Sequence, residues 1–111
     1  MAAISTVQIE QLLEQLENKS SLSYATNLNH VVRILQDKES ENVVVKCINN
    51  MLRSLGTRDV GFTCVNLLIL HGSNDAVLEN WPVWIKVATS CNKIQAEQAI
   101  LLGIYSKNML Y

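Results

Sequence analysis

The stretch ILQDKESENVVVKCINNMLRSLG, residues 34–56, decides the fold. Within it Val44, Cys47, Ile48, Met51, Leu52 and Leu55 recur at the three- and four-residue steps of one helical face, and Lys46, Asn49, Asn50 and Arg53 fall on the other side. The spacing predicts a helix over about 41–55, stopped at Gly56. Asp37-Lys38-Glu39-Ser40 ahead of it reads as a helix-to-helix turn.

Working outward, Thr57 is placed as the cap of a fourth helix in which Val60, Cys64, Leu67, Leu68 and His71 share a stripe. Phe62, Val65 and Ile69 widen that stripe, so the helix is apolar nearly all round, as a central helix covered on both sides would be. Gly72 ends it. Ser73 or Asn74 caps a fifth segment, which Pro82 is expected to kink, the alternative being that Pro82 opens a new short helix through Thr89, and a sixth helix runs from about Asn92 to the end. Upstream, residues 6–18 carry Val7, Ile9, Leu12, Leu13 and Leu16, and a helix starting near Ser23 carries Leu28, Val31, Val32 and Leu35. The chain is expected to be more than half helical with no sheet, and Ile48, Leu52, Leu67, Leu68 and Leu102 are expected in the core.

Composition agrees with that reading. Four glycines and one proline in 111 residues are too few turn formers for an all-β domain. Hydrophobic residues make up 49% and charged ones 17%, a balance that predicts surface not meant for water. The net charge of −1 provides no field to gather nucleic acid or an anionic membrane, so direct nucleic-acid binding is disfavoured. Cys47, Cys64 and Cys91 lie in apolar surroundings without C-x-x-C spacing and read as buried free thiols of a reducing compartment. The opening MAAISTVQIE lacks the pattern of a signal peptide, and no segment approaches a membrane span.

The helix starts near Ser23, Thr57 and Asn92 are about 35 residues apart, within the range of two-helix repeats. Residues 34–56 resemble a HEAT-repeat turn and second helix: paired aliphatics, Asp37 in the turn and hydrogen-bonding its amides, then Val44 and Cys47 facing the paired helix, and Leu52 and Leu55 closing the layer. Residues 57–87, TRDVGFTCVNLLILHGSNDAVLENWPVWIKV, resemble the amino-terminal helical domain of the Rix/PELP nucleolar scaffold proteins through Thr57, Arg58, Gly61, Leu67, Leu68, Gly72, Ser73, Trp84 and Ile85. Neither an L-x-x-L-L box nor an acidic or proline-rich tail accompanies them. The resemblances imply an all-α fold, a right-handed α-solenoid or HEAT-like stack of about six antiparallel helices, with residues 1–111 as one helical-repeat domain, the amino-terminal piece of a longer scaffold. They also imply a nuclear factor in large ribosomal subunit assembly and chromatin-associated complexes, partnered by β-propeller and other helical-repeat subunits.

Candidate chemistry is sparse. Cys64 and His71 share a helical face, but two turns put them about 10 Å apart, too far for a nucleophile pair. A zinc site from Cys47, Cys64, Cys91, His30 and His71 would need ligands from four helices and has none of the short spacings of structural sites. Glu10, Glu14 and Glu17 read as a solvated face, and no phosphate-cradling loop is present. No catalytic residue, cofactor or metal is expected.

Partner binding is the better expectation. Pro82 restricts the backbone of Trp81, so an exposed Trp81 would be a pre-organised anchor, while Trp84 points inward. Arg33, Lys46, Arg53 and Arg58 form a candidate basic edge. Residues 101–111, with Leu101, Tyr105 and Tyr111, form an apolar end where the stack continues or a twin subunit docks, and concentration-dependent dimerisation is the expected symptom. The reading is a non-enzymatic nuclear scaffold without a membrane role. Its rivals are a cytoplasmic helical adaptor binding a peptide or receptor tail, and an RNA-contacting helical module using the basic edge.

Overall fold

The computed structural model describes residues 6–18 and 20–107. Among them are six α-helices and no strand: α1 (Thr6–Glu14), extended by a 3-10 turn (Gln15–Glu17), α2 (Tyr24–Ile34), α3 (Lys38–Arg53), α4 (Arg58–His71), α5 (Asn74–Ser90) and α6 (Ile94–Ser106). Helix α4 packs on α1, α3, α5 and α6, the central position that its all-round apolarity implies. One core runs through all six helices, from Ile9, Leu13 and Leu16 through Ile48, Leu52, Val65 and Leu68 to Trp84, Ile100 and Ile104.

The caps explain the helix bounds, and several differ from expectation. Helix α3 starts at Lys38, not near residue 41. Asp37 accepts hydrogen bonds from the backbone N–H of Ser40 (3.1 Å) and from its hydroxyl (2.7 Å), so the polar run that reads as a turn is a capped first turn. These bonds hold the Asp37 carboxyl below its ordinary value. The helix ends at Arg53, which leaves Leu55 exposed in the following turn and not in the layer. Thr57 does not cap α4 with its side chain. Its hydroxyl donates backwards to the Met51 carbonyl (2.8 Å), and Arg58 Nε donates to the Leu52 carbonyl (2.9 Å), so both residues satisfy the last turn of α3.

Ser73 caps α5 by accepting from Ala76 N–H (3.2 Å), and α5 runs as one helix through Pro82. Asn92 does not begin α6. It stands at φ 56° just past α5, where its N–H reaches the Thr89 carbonyl and the Lys93 N–H reaches that of Ala88, a Schellman closure with asparagine in the left-handed place. Ile48, Leu52 and Leu68 are buried as expected, whereas Leu67 is half-buried and Leu102 is exposed. Val7 is exposed, and Leu12 only packs against the core edge. Around Leu67 and Leu102 a second apolar face widens the stripe, and spacing alone does not say which face the neighbours cover; Val7 stands on the polar side of α1.

Two polar ties cross the core, both from α3. Glu41, 2% exposed, accepts from the Ser73 N–H (2.6 Å, Oε2) and hydroxyl (2.7 Å, Oε1), clasping the α4–α5 turn. Gly72 lets the carboxylate this close, since a Cβ there would stand 3.0 Å from Oε2 and 2.6 Å from Leu68. Asn49 accepts from the indole N–H of fully buried Trp84 (2.8 Å) and donates to Asn80 (3.3 Å), which in turn donates to the Ala76 carbonyl (2.7 Å).

Candidate protein-docking face

Helix α6 has two apolar faces. Ile100 and Ile104 point into the core, and at Gly103 the backbone comes so close to α4 that a Cβ would stand 2.9 Å from Ile69 Cγ2. An adjoining face carries Ile94, Gln98, Leu101 and Tyr105 at steps of four, three and four residues, all exposed, with Leu102 beside them. Ile94 is 63%, Leu101 38%, Leu102 69% and Tyr105 71% exposed. Glu97 is the one charged residue of α6. Water therefore meets an uncharged helical stripe spaced like the seam of a helix pair.

Along one flank of that stripe runs a groove between α4 and α6, about 320 Å³ in volume, whose walls include Ile69, Leu70, Ala99 and Leu102. Leu70, 66% exposed, rises from the α4 side. Lys107 bounds the groove and donates to the Gly72 carbonyl at 3.5 Å, which ties the end of α6 to the α4–α5 turn. A second cleft of about 350 Å³ between α1 and α2 has a mixed lining, Gln8, Gln11, Gln15 and His30 with Leu12 and Ile34. The α4–α6 groove is the one built for apolar contact.

The other candidate residues fall elsewhere. Trp81 is half-buried and packed against the core, so it is not the free indole anchor expected, because α5 continues through Pro82 and keeps that side chain against the bundle. Arg58 is spent on the carboxyl end of α3. Arg33, Lys46 and Arg53 are exposed on α2 and α3, and Tyr111 lies outside the described residues. Burial pushes the Cys64 thiol up to about 12, and His71 is exposed, so the pair does not form a nucleophile and base. Cys47 is buried, with its thiol raised first by burial and then by the Glu10 charge, and it lies 3.9 Å from the Thr6 carbonyl. Cys91 is half-exposed, contrary to the expectation of burial, because it caps α5 at the surface. Among the described residues no three His, Cys, Asp or Glu side chains converge as metal ligands, and no helix is long and apolar enough to cross a membrane.

Sequence reasoning passed over Glu41 and Asn49. Glu41 stands in the register of the apolar stripe, with Val44, Val45, Ile48 and Leu52 following at helical steps, and that placement is the signal that marks it. Neither family models, curated proteins nor solved structures give a match to the chain.

Proposed function

We propose that this chain is a non-catalytic protein-interaction module whose docking surface is the apolar face of α6 with the adjoining α4–α6 groove. The observation that carries it is the set of large apolar side chains, Leu70 on α4 and Ile94, Leu102 and Tyr105 on α6, each more than three-fifths exposed, on and beside a helix with a single charge. Burying each of them on a partner would contribute about 1–2 kcal/mol, two-thirds of the value for complete burial. In this reading the helices form a right-handed, HEAT-like stack of antiparallel pairs, and the exposed apolar face of α6 takes a partner's helix. The radius of gyration, 13.3 Å, is that of a compact domain of this length, which suits a stack of only three pairs.

The nuclear, ribosome-assembly setting is carried by the resemblance of residues 57–87 to the Rix/PELP scaffolds, and names β-propeller and helical-repeat subunits as the partners to expect. Proximity labelling in cells with the wild-type chain and with L70E/L102E tests both parts. The expected result is a set of partners that the variant loses while its thermal unfolding stays within about 2 °C of wild type, since both positions are exposed. Identical partner sets would overturn the docking face. Lost partners drawn from receptor tails, with no pre-ribosomal subunits among them, would overturn the nuclear setting and favour a cytoplasmic adaptor.

A further inference from the structure

We propose that the occupant of the α6 stripe is a second copy of this chain, with the two α6 helices packed antiparallel about a twofold axis near residues 99 and 100. The inference rests on the reading of this face as a docking surface. A twofold contact requires a patch complementary to itself, in which residue i meets residue j of the partner and j meets i. The stripe meets that requirement. With the helices reversed, Ile94 stands opposite the partner's Tyr105, and Gln98 opposite the partner's Leu101, so each layer pairs a residue with its alternate seam position, as antiparallel helix pairs do.

Charge and area agree with this choice. No like charges are forced together along the stripe, because Glu97 is the one charge on the helix and is half-buried beside it. Lys93, which the register brings toward the partner's Lys107, is already paired with Asp59 at 2.9 Å. Taking roughly 150–250 Å² for a fully exposed large side chain, Leu70, Ile94, Leu101, Leu102 and Tyr105 at their observed exposures present on the order of 600 Å². Two copies would bury at most about 1,200 Å² in all, the lower edge of stable interfaces, which suits a dimer that forms with rising concentration. Gln98, set opposite the partner's Leu101, places an amide in the seam without a polar partner and so lowers the affinity.

Sedimentation of the full chain from about 10 μM to about 1 mM tests the proposal. Wild type should pass from monomer to dimer without larger species, because a twofold contact closes on itself. I94K and Y105E should each weaken the dimer about tenfold or more, and I94K/Y105E should regain it, since only the antiparallel register sets the new lysine against the partner's new glutamate. Q98L, an exposed change that the fold tolerates, should tighten the dimer severalfold. A wild-type chain that stays monomeric, a double variant no better than the singles, or a Q98L variant that does not tighten would each overturn the proposal. A monomer whose cellular partners still depend on Leu70 and Leu102 would overturn self-docking and leave the docking face standing.

Discussion

Replacing Glu41 by alanine tests the clasp across the α4–α5 turn. The native carboxylate accepts two short hydrogen bonds from Ser73, at 2.6 and 2.7 Å, while itself 2% exposed. Hydrogen bonds to a charged group contribute about 1.5–3 kcal/mol each, but Ser73 is exposed and water can serve its donors once the carboxylate is gone. Removing a buried charge also returns its desolvation cost. The lower end of the range is therefore appropriate, and a loss of about 2–3 kcal/mol is expected for E41A. With an unfolding entropy of about 2.1 cal/mol/K per residue, that lowers the Tm of this chain by roughly 10 °C. E41Q retains one acceptor oxygen and should fall between E41A and wild type. S73A removes the hydroxyl that both donates to Glu41 and accepts from Ala76, so it should cost about 1–2 kcal/mol. The assay is urea and thermal unfolding followed by far-UV circular dichroism on E41A, S73A and the double variant. The double-mutant cycle should give a coupling of about 1 kcal/mol or more. A coupling below about 0.3 kcal/mol, or an E41A melting point within about 2 °C of wild type, would refute the clasp.

Two further outcomes can be measured on the same samples. L68A should cost about 2–5 kcal/mol, whereas its neighbour L67A, half-buried, should cost about 1–2 kcal/mol; equal losses in urea unfolding would contradict the placement of α4. The Asp37 carboxyl is held below the ordinary 3.8 by its bonds to Ser40, so the ionised form is favoured in the folded state. Its contribution is complete above 3.8 and is lost as the pH falls through the lower folded value. Wild type and D37N should therefore differ in stability at neutral pH and converge in strong acid, as acid titration of the unfolding midpoint would show; a constant difference would contradict the cap.

Helices and most of the core were legible in the sequence because burial imposes a period. Val44, Cys47, Ile48 and Leu52 on α3, and Cys64 and Leu68 on α4, stand on the expected faces. The period says less where apolar residues surround a helix. On α6, Ile100 and Ile104 turn inward and Leu102 outward, a choice made by the close approach at Gly103 and not by any local preference. Capping chemistry was legible at Ser73, whose side chain accepts from Ala76. At Asp37 the bond to a backbone amide is as expected, but the polar run after it reads as a turn because such a run looks alike in a turn and in a helix's first turn; Thr57 was misread, since its hydroxyl serves the preceding helix. Glu41 and Asn49 were hidden because their partners, Ser73 and Trp84, are 32 and 35 residues away, beyond any local pattern. The exposed apolar face of α6 was visible as an excess of apolar residues toward the carboxyl end. The half-buried packing of Trp81 was not, since it depends on α5 staying whole through Pro82.

The polar ties of α3 also bear on how the chain is made. Synthesis delivers Glu41 and Asn49 long before the residues that satisfy them, and closing such non-local contacts must first overcome loop entropy. Until Ser73 and Trp84 have been made, Glu41 and Asn49 have only water to satisfy them. The addition of α5 and the turn before it supplies their partners and allows both polar groups to be buried.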